Sequence, residues 1–140
     1  MGVIRIYKIG EFAKLVNANI KTIRYYDDIN LLKPKEIDKF TSYRYYNDEN
    51  IREYYSILLL KKMGFSLNEI KANKDNLRDE LFLEQREKLL HEILYKKEII
   101  KTIDKIRSNI IDGNVKLDEF NYEFNNIDTK KKKKFRQWYN

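Results

Sequence analysis

Apolar positions along this chain recur first at helical spacing, then alternate, then return to helical spacing. Ile9, Phe12, Ala13 and Val16 repeat every three or four residues, which predicts a short helix from Ile9 to Val16 burying that stripe. Asn17-Ala18-Asn19 makes a turn. Ile20, Ile23 and Tyr26 then share one face of a second helix, Ile20 to about Ile29, while Lys21, Arg24, Tyr25 and Asp28 share the other. Asn30 closes this helix, because asparagine can take the left-handed conformation of a helix end. Pro34 denies Lys33 the helical region, so Leu31-Leu32-Lys33-Pro34 is expected to be extended.

From Ile37 to Tyr46 the pattern alternates and is rich in aromatic and β-branched residues, with turn formers Asp38-Lys39 and Thr41-Ser42 between. With Leu31-Leu32 it reads as a small hairpin, a wing carrying Lys39, Tyr43 and Arg44. Tyr43 and Tyr45 point one way, Arg44 and Tyr46 the other. A two-stranded ribbon is marginal alone and must lean on the helices. Helical spacing resumes after Asn47, which reads as the cap of a third helix, Asp48 to Met63. Its expected buried stripe is Ile51, Tyr54, Tyr55, Leu58 and Leu59. Gly64 ends it, and the capping box Ser66-Leu67-Asn68-Glu69 opens a fourth helix through about Ala72.

The longest helical signal runs from about Leu77 to Ile111 without proline or glycine. Leu89, Ile93, Ile100, Ile103 and Ile110 follow heptad steps, interrupted at Lys96 and Arg107. A rod of about 50 Å results, longer than a small core can bury. Antiparallel pairing between two copies is preferred to an intrachain helical hairpin. Beyond Asp112-Gly113-Asn114, the aromatics Phe120, Tyr122 and Phe124 are expected to cover the rod rather than line a pocket between subunits. The run Lys130 to Lys134 reads as solvated chain, with non-specific phosphate contact the lesser alternative. The organisation is therefore mainly α: a helix-and-wing region over 1–76, a long helix over 77–111 suited to pairing with a second copy and a short tail over 112–140.

Charge narrows the partners. Of the 140 residues 36% are charged, and the net charge of +7 favours a nucleic acid or an acidic membrane surface. There is no cysteine, which removes disulfides, thiolate metal sites and cysteine redox sensing. His91 is the single histidine and sits in a charged stretch, so no metal site and no cofactor are expected. No apolar run reaches the length of a membrane span and no signal-peptide pattern follows Met1, so a soluble cytoplasmic protein is expected. Paired carboxylates in a cleft-like context, a phosphate-binding glycine loop and a nucleophile–histidine pattern are all missing, so an enzyme is not expected.

Five blocks then fall in register: Tyr7-Lys8-Ile9-Gly10-Glu11-Phe12-Ala13, Thr22-Ile23-Arg24-Tyr25-Tyr26-Asp27, Leu31-Leu32-Lys33-Pro34, Tyr43-Arg44-Tyr45-Tyr46 and Gly64-Phe65-Ser66-Leu67-Asn68-Glu69-Ile70. Together, over roughly residues 5 to 72, they resemble the MerR family of bacterial transcription regulators. The resemblance implies a winged helix–turn–helix domain dimerised through an antiparallel coiled coil of the long helix. It also implies binding to a pseudo-palindrome in promoters with overlong spacers, with bending and untwisting that let RNA polymerase engage both elements. Carried over position by position, it makes Lys21, Thr22, Arg24 and Tyr25 the recognition-helix contacts. Arg24 and Tyr25 then clamp phosphate, and Lys21 and Thr22 reach base edges. Tyr43 and Arg44 match the wing's backbone-contacting pair, with Lys39 beside them and Lys62 a weaker addition. Leu89, Ile93, Ile100, Ile103 and Ile110 become the dimer seam, while Tyr26 and Tyr46 are assigned to packing.

The chain departs from the family pattern in two places. Ser42 stands where the family often has glycine before the wing's Tyr-Arg. The stretch after the rod has no cysteines for metal or redox sensing, and it is too short for a large drug-binding domain. The sequence is thus read as either a short member or a fragment, with a small-molecule effector left open. Two competing readings share the N-terminal pattern: an excisionase-like architectural factor that bends DNA, and a helical adaptor that docks an acidic protein.

Overall fold

The computed structural model describes residues 3–113 and 116–120. Two compact units are present, one running to Leu81 and one beginning at Phe82. Expectations for Tyr122, Phe124, Lys130 to Lys134 and the rest of 121–140 lie outside the described residues.

In the first unit the order is β1 (Ile6–Lys8), α1 (Ile9–Leu15), α2 (Ile20–Asp28), β2 (Glu36–Ile37), β3 (Arg44–Asn47), α3 (Asp48–Lys62) and α4 (Leu67–Asn73). The strands form one antiparallel sheet ordered β1-β3-β2, with Tyr7 opposite Tyr46 and Ile37 opposite Arg44. β1 was not foreseen, since three residues are too few to show an alternation. Leu31-Leu32 is neither extended nor a strand of the wing: the chain bends there, both backbone N–H groups donate to the Tyr26 carbonyl at 2.8 and 3.1 Å, both side chains are fully buried in the core, and β2 takes the hairpin position.

Each helix boundary has a local cause. Asn19 caps α2 by accepting the Lys21 N–H at 2.8 Å, and Asn30, at φ 60°, ends it as expected. Asn47 and Asn50 form a reciprocal capping box at the start of α3, with both bonds 3.0 Å. Ser66 and Glu69 do the same for α4. Gly64, at φ 94°, turns the chain between them, a conformation that favours glycine.

The core gathers Phe12, Ala13, Val16, Ile23, Tyr26, Leu31, Leu32, Tyr46, Tyr54, Ile57, Leu60, Phe65 and Ile70. Phe12 and Tyr46 stack with centroids 4.5 Å apart, joining α1 to β3. Tyr26 and Tyr46 are thus packing residues, as expected. The buried stripe of α3 is rotated from expectation. Asn50, Tyr54, Ile57 and Leu60 face inward, whereas Tyr55 and Leu59 are about half exposed. The capping box turns Asn50 inward, where its side-chain N–H donates to the Lys33 carbonyl at 2.9 Å and fixes the rotation of the helix. Ile9 and Ile20 are only partly covered.

α5 (Asp79–Ile111) supplies the described part of the second unit together with a 3₁₀ turn at Leu117–Phe120. Its 33 residues span about 50 Å. Gln85, Thr102 and Phe120 are buried, while the five heptad residues remain 40–57% exposed. Among the described residues no helix is long and apolar enough to cross a membrane.

Candidate nucleic-acid interface

The outer face of α2 exists because its inner face is spoken for. Ile23, Tyr26 and Asp27 are buried, so the helical period turns Lys21, Arg24 and Tyr25 outward, with Thr22 at the margin. Among the described residues no carboxylate pairs with Lys21, Arg24 or Lys39. A row of unpaired cations beside an exposed phenol is suited to phosphate oxygens.

Asp27 ties the wing to this helix. Asp27 is buried, and its carboxylate accepts from Lys33 Nζ at 2.6 Å and from Arg44 Nε at 2.5 Å. Lys33 Nζ also reaches the Asp27 carbonyl at 3.1 Å. Burial alone would raise the Asp27 carboxyl, but the hydrogen bonds and charges of Lys33 and Arg44 outweigh it and hold it below its usual value. Arg44 shifts the opposite way for the same reason: its bond to Asp27 raises it further. A single anion therefore ties the end of α2, the Leu31–Pro34 connection and strand β3 together.

That tie qualifies the part expected of Arg44. Its side chain leaves β3 on the same side as buried Tyr46 and is 35% exposed, with Nε committed to Asp27. Only the two terminal amines remain for an outside acceptor. Tyr43, on the other side, is half exposed, and Lys8 Nζ lies 5.8 Å from its ring centroid. Lys39 is exposed in the β2–β3 loop. Lys62 is exposed at the end of α3, but its neighbour Lys61 turns inward and donates to Tyr26 Oη at 3.2 Å. No ion pair or side-chain hydrogen bond joins Lys62 to the α2 face among the described residues.

Asp27, Lys33 and Asn50 are the residues that reading the sequence for exposed cations passed over. A usable signal was present: Asp27 falls four residues after Ile23 on the apolar face, and a carboxylate there requires cationic partners.

Tyr46 carries a buried polar group in this region. Its hydroxyl is buried without a hydrogen-bond partner among the described residues, and burial, with the nearby Asp27 charge, pushes it up to about 12.

Two helices joined by a short turn, the second presenting cations, with a hairpin pinned beside it, make a winged helix–turn–helix. Residues 7–77 match the family described as MerR HTH family regulatory protein, and the chain belongs to that family. It is 37% identical over 107 residues to the multidrug-efflux transporter 1 regulator of Bacillus subtilis, an alignment covering 74% of this chain and 38% of that protein. Its fold is similar to the N-terminal part of the multidrug transporter activator Mta of Bacillus subtilis. There the TM-score is 0.64 and the identity 33%, over 71% of this chain and 95% of that one. It is also similar to a regulator solved as an EcmrR–DNA complex, with TM-score 0.66 and 25% identity, over 74% of this chain and 39% of that one. The chain thus spans about two-fifths of the length of the efflux regulator it matches.

Proposed function

We propose that this chain is a DNA-binding transcription regulator that works as a homodimer on promoter DNA. The observation that carries the reading is the outward face of α2, with Lys21, Arg24 and Tyr25 exposed, joined by Asp27 to a wing that exposes Lys39 and Tyr43. In this reading Lys21 and Thr22 reach base edges from the major groove, and Arg24 and Tyr25 hold phosphate. Tyr43 and the terminal amines of Arg44 grip the backbone from the wing, with Lys39 beside them and Lys62 a weaker contact. The relative solved on DNA supports the choice of partner.

Leu89, Ile93, Ile100, Ile103 and Ile110 are half-exposed apolar residues at heptad spacing on α5, and a second copy is the partner that pattern suits. Two copies clasped antiparallel along 77–111 would hold two 1–76 units at a fixed separation, matching a pseudo-palindrome. The contacts then offset a deformation of the DNA that costs on the order of a few kcal/mol, and RNA polymerase responds to the distorted promoter.

Fluorescence anisotropy tests this on duplexes enriched from a random pool. With about six cations per dimer on phosphate, affinity should fall about a thousandfold between roughly 50 and 200 mM salt. An affinity that does not change over that range would exclude the reading.

A further inference from the structure

Phe40, in the loop joining β2 to β3, is 97% exposed, more than any other large apolar residue described. The loop that carries it is built, not loose. Asp38 accepts the backbone N–H of Phe40 at 2.8 Å and of Thr41 at 2.9 Å on one side-chain oxygen. The Asp38 carbonyl accepts the Ser42 N–H at 2.9 Å, and the Asp38 N–H donates to the Tyr43 carbonyl at 2.9 Å. Those bonds close a tight turn that pushes the ring outward.

The surroundings identify what such a ring meets. Lys39 precedes it, Lys8 lies against Tyr43, and Arg44 anchors the strand below. A protein partner would ask for a broad apolar patch with few cations at its centre. A single flat ring with Lys39 next to it in the chain and no broad apolar patch around it fits the DNA minor groove, which has apolar deoxyribose walls between two anionic rims. Phe40 is four residues from Arg44, a reach of at most about 14 Å. That is enough for the ring to enter the groove next to the one α2 occupies.

We propose that Phe40 is the wing's apolar contact with duplex DNA, seated in the minor groove flanking the α2 site. The inference rests on the regulator reading and adds to it a determinant that neutralises no phosphate. It reads groove shape at base pairs that α2 does not touch.

The test compares the full chain with Phe40→Ala and Phe40→Trp on a duplex enriched from a random pool. Anisotropy at several salt concentrations is followed by hydroxyl-radical footprinting, which reports deoxyribose exposure in the minor groove. Phe40→Ala should weaken binding about tenfold, because a largely buried aromatic ring is lost. Its salt slope should equal that of the wild type, its thermal melt should not move, and protection should vanish only at the flanking minor-groove positions. Phe40→Trp should restore both affinity and protection. Equal affinity and an equal footprint for wild type and Phe40→Ala would overturn the proposal and leave the regulator reading intact. Equal footprints combined with loss of the dimer in sedimentation would reassign Phe40 to a protein contact and also overturn it. If the wild type binds no duplex at all, the regulator reading itself fails.

Discussion

Replacing Asp27 by alanine should be the most informative single change in the first unit. The carboxylate is buried and accepts two charge-assisted bonds, from Lys33 at 2.6 Å and Arg44 at 2.5 Å. Bonds of this kind are worth roughly 1.5–3 kcal/mol each when sheltered. Lys33 is 55% and Arg44 35% exposed, so both cations recover hydration once the anion is gone, and solvent screens part of the original attraction. The expected cost of Asp27→Ala is therefore about 2 kcal/mol, below the roughly 3–5 kcal/mol of a fully buried broken pair. For a unit of this size that lowers the melting temperature by about 8–16 °C. Asp27→Asn keeps the volume and should lose about half as much.

Acid supplies the internal control. The folded Asp27 carboxyl lies below its usual value, so its stabilisation is complete above the unfolded value near 4 and is lost as pH falls through the lower, folded value. Thermal melts followed by circular dichroism should show a wide gap between wild type and Asp27→Ala at pH 7. The gap should close progressively below about pH 4. A melting shift under about 2 °C at neutral pH, or a gap as wide in acid as at pH 7, would show that Asp27 does not hold the wing to α2.

Three further outcomes follow from the same geometry. Tyr46→Phe removes a buried hydroxyl that has no partner, and should be neutral or stabilising by up to about 1 kcal/mol in urea unfolding; a loss above that size would reveal a bond to the hydroxyl. Ser42 sits at φ 59°, where a side chain is disfavoured, so Ser42→Gly should stabilise by roughly 0.5–1 kcal/mol; destabilisation would mean the serine side chain holds the turn. Arg24→Ala should weaken every operator by a similar factor and lower the salt slope, whereas Lys21→Ala should change the preferred sequence in a selection from random DNA. Equal effects of both on all operators would overturn that division of labour.

The helices were legible because their signals are local. Ser66 and Glu69 announce a capping box, Gly64 and Asn30 announce helix ends, and the structure has each where the sequence puts it. What escaped reading depends on distant partners. β1 is visible only as a complement to β3, and Leu31-Leu32 could be assigned to core or strand only by knowing what lies above them. The rotation of α3 is decided by a bond from Asn50 to the Lys33 carbonyl, seventeen positions away, so hydrophobic periodicity alone chose the wrong tyrosine–leucine edge. In the candidate site the exposed face of α2 follows from helical period, and Lys21, Arg24 and Tyr25 stand on it as expected. Arg44 was read for its charge, but its neighbour in space, Asp27, takes one of its donors inward. The departure at Ser42 has a concrete form: serine adopts the positive φ that glycine would take without penalty.

In the proposed reading, two chains clasped along α5 would give two α2 helices a fixed spacing. Sedimentation equilibrium of the full chain at micromolar concentration measures this directly. It should return twice the 17.1 kDa mass of one chain, falling to a single chain when Ile100 and Ile103 are both changed to lysine. A wild-type mass of one chain under those conditions would contradict it.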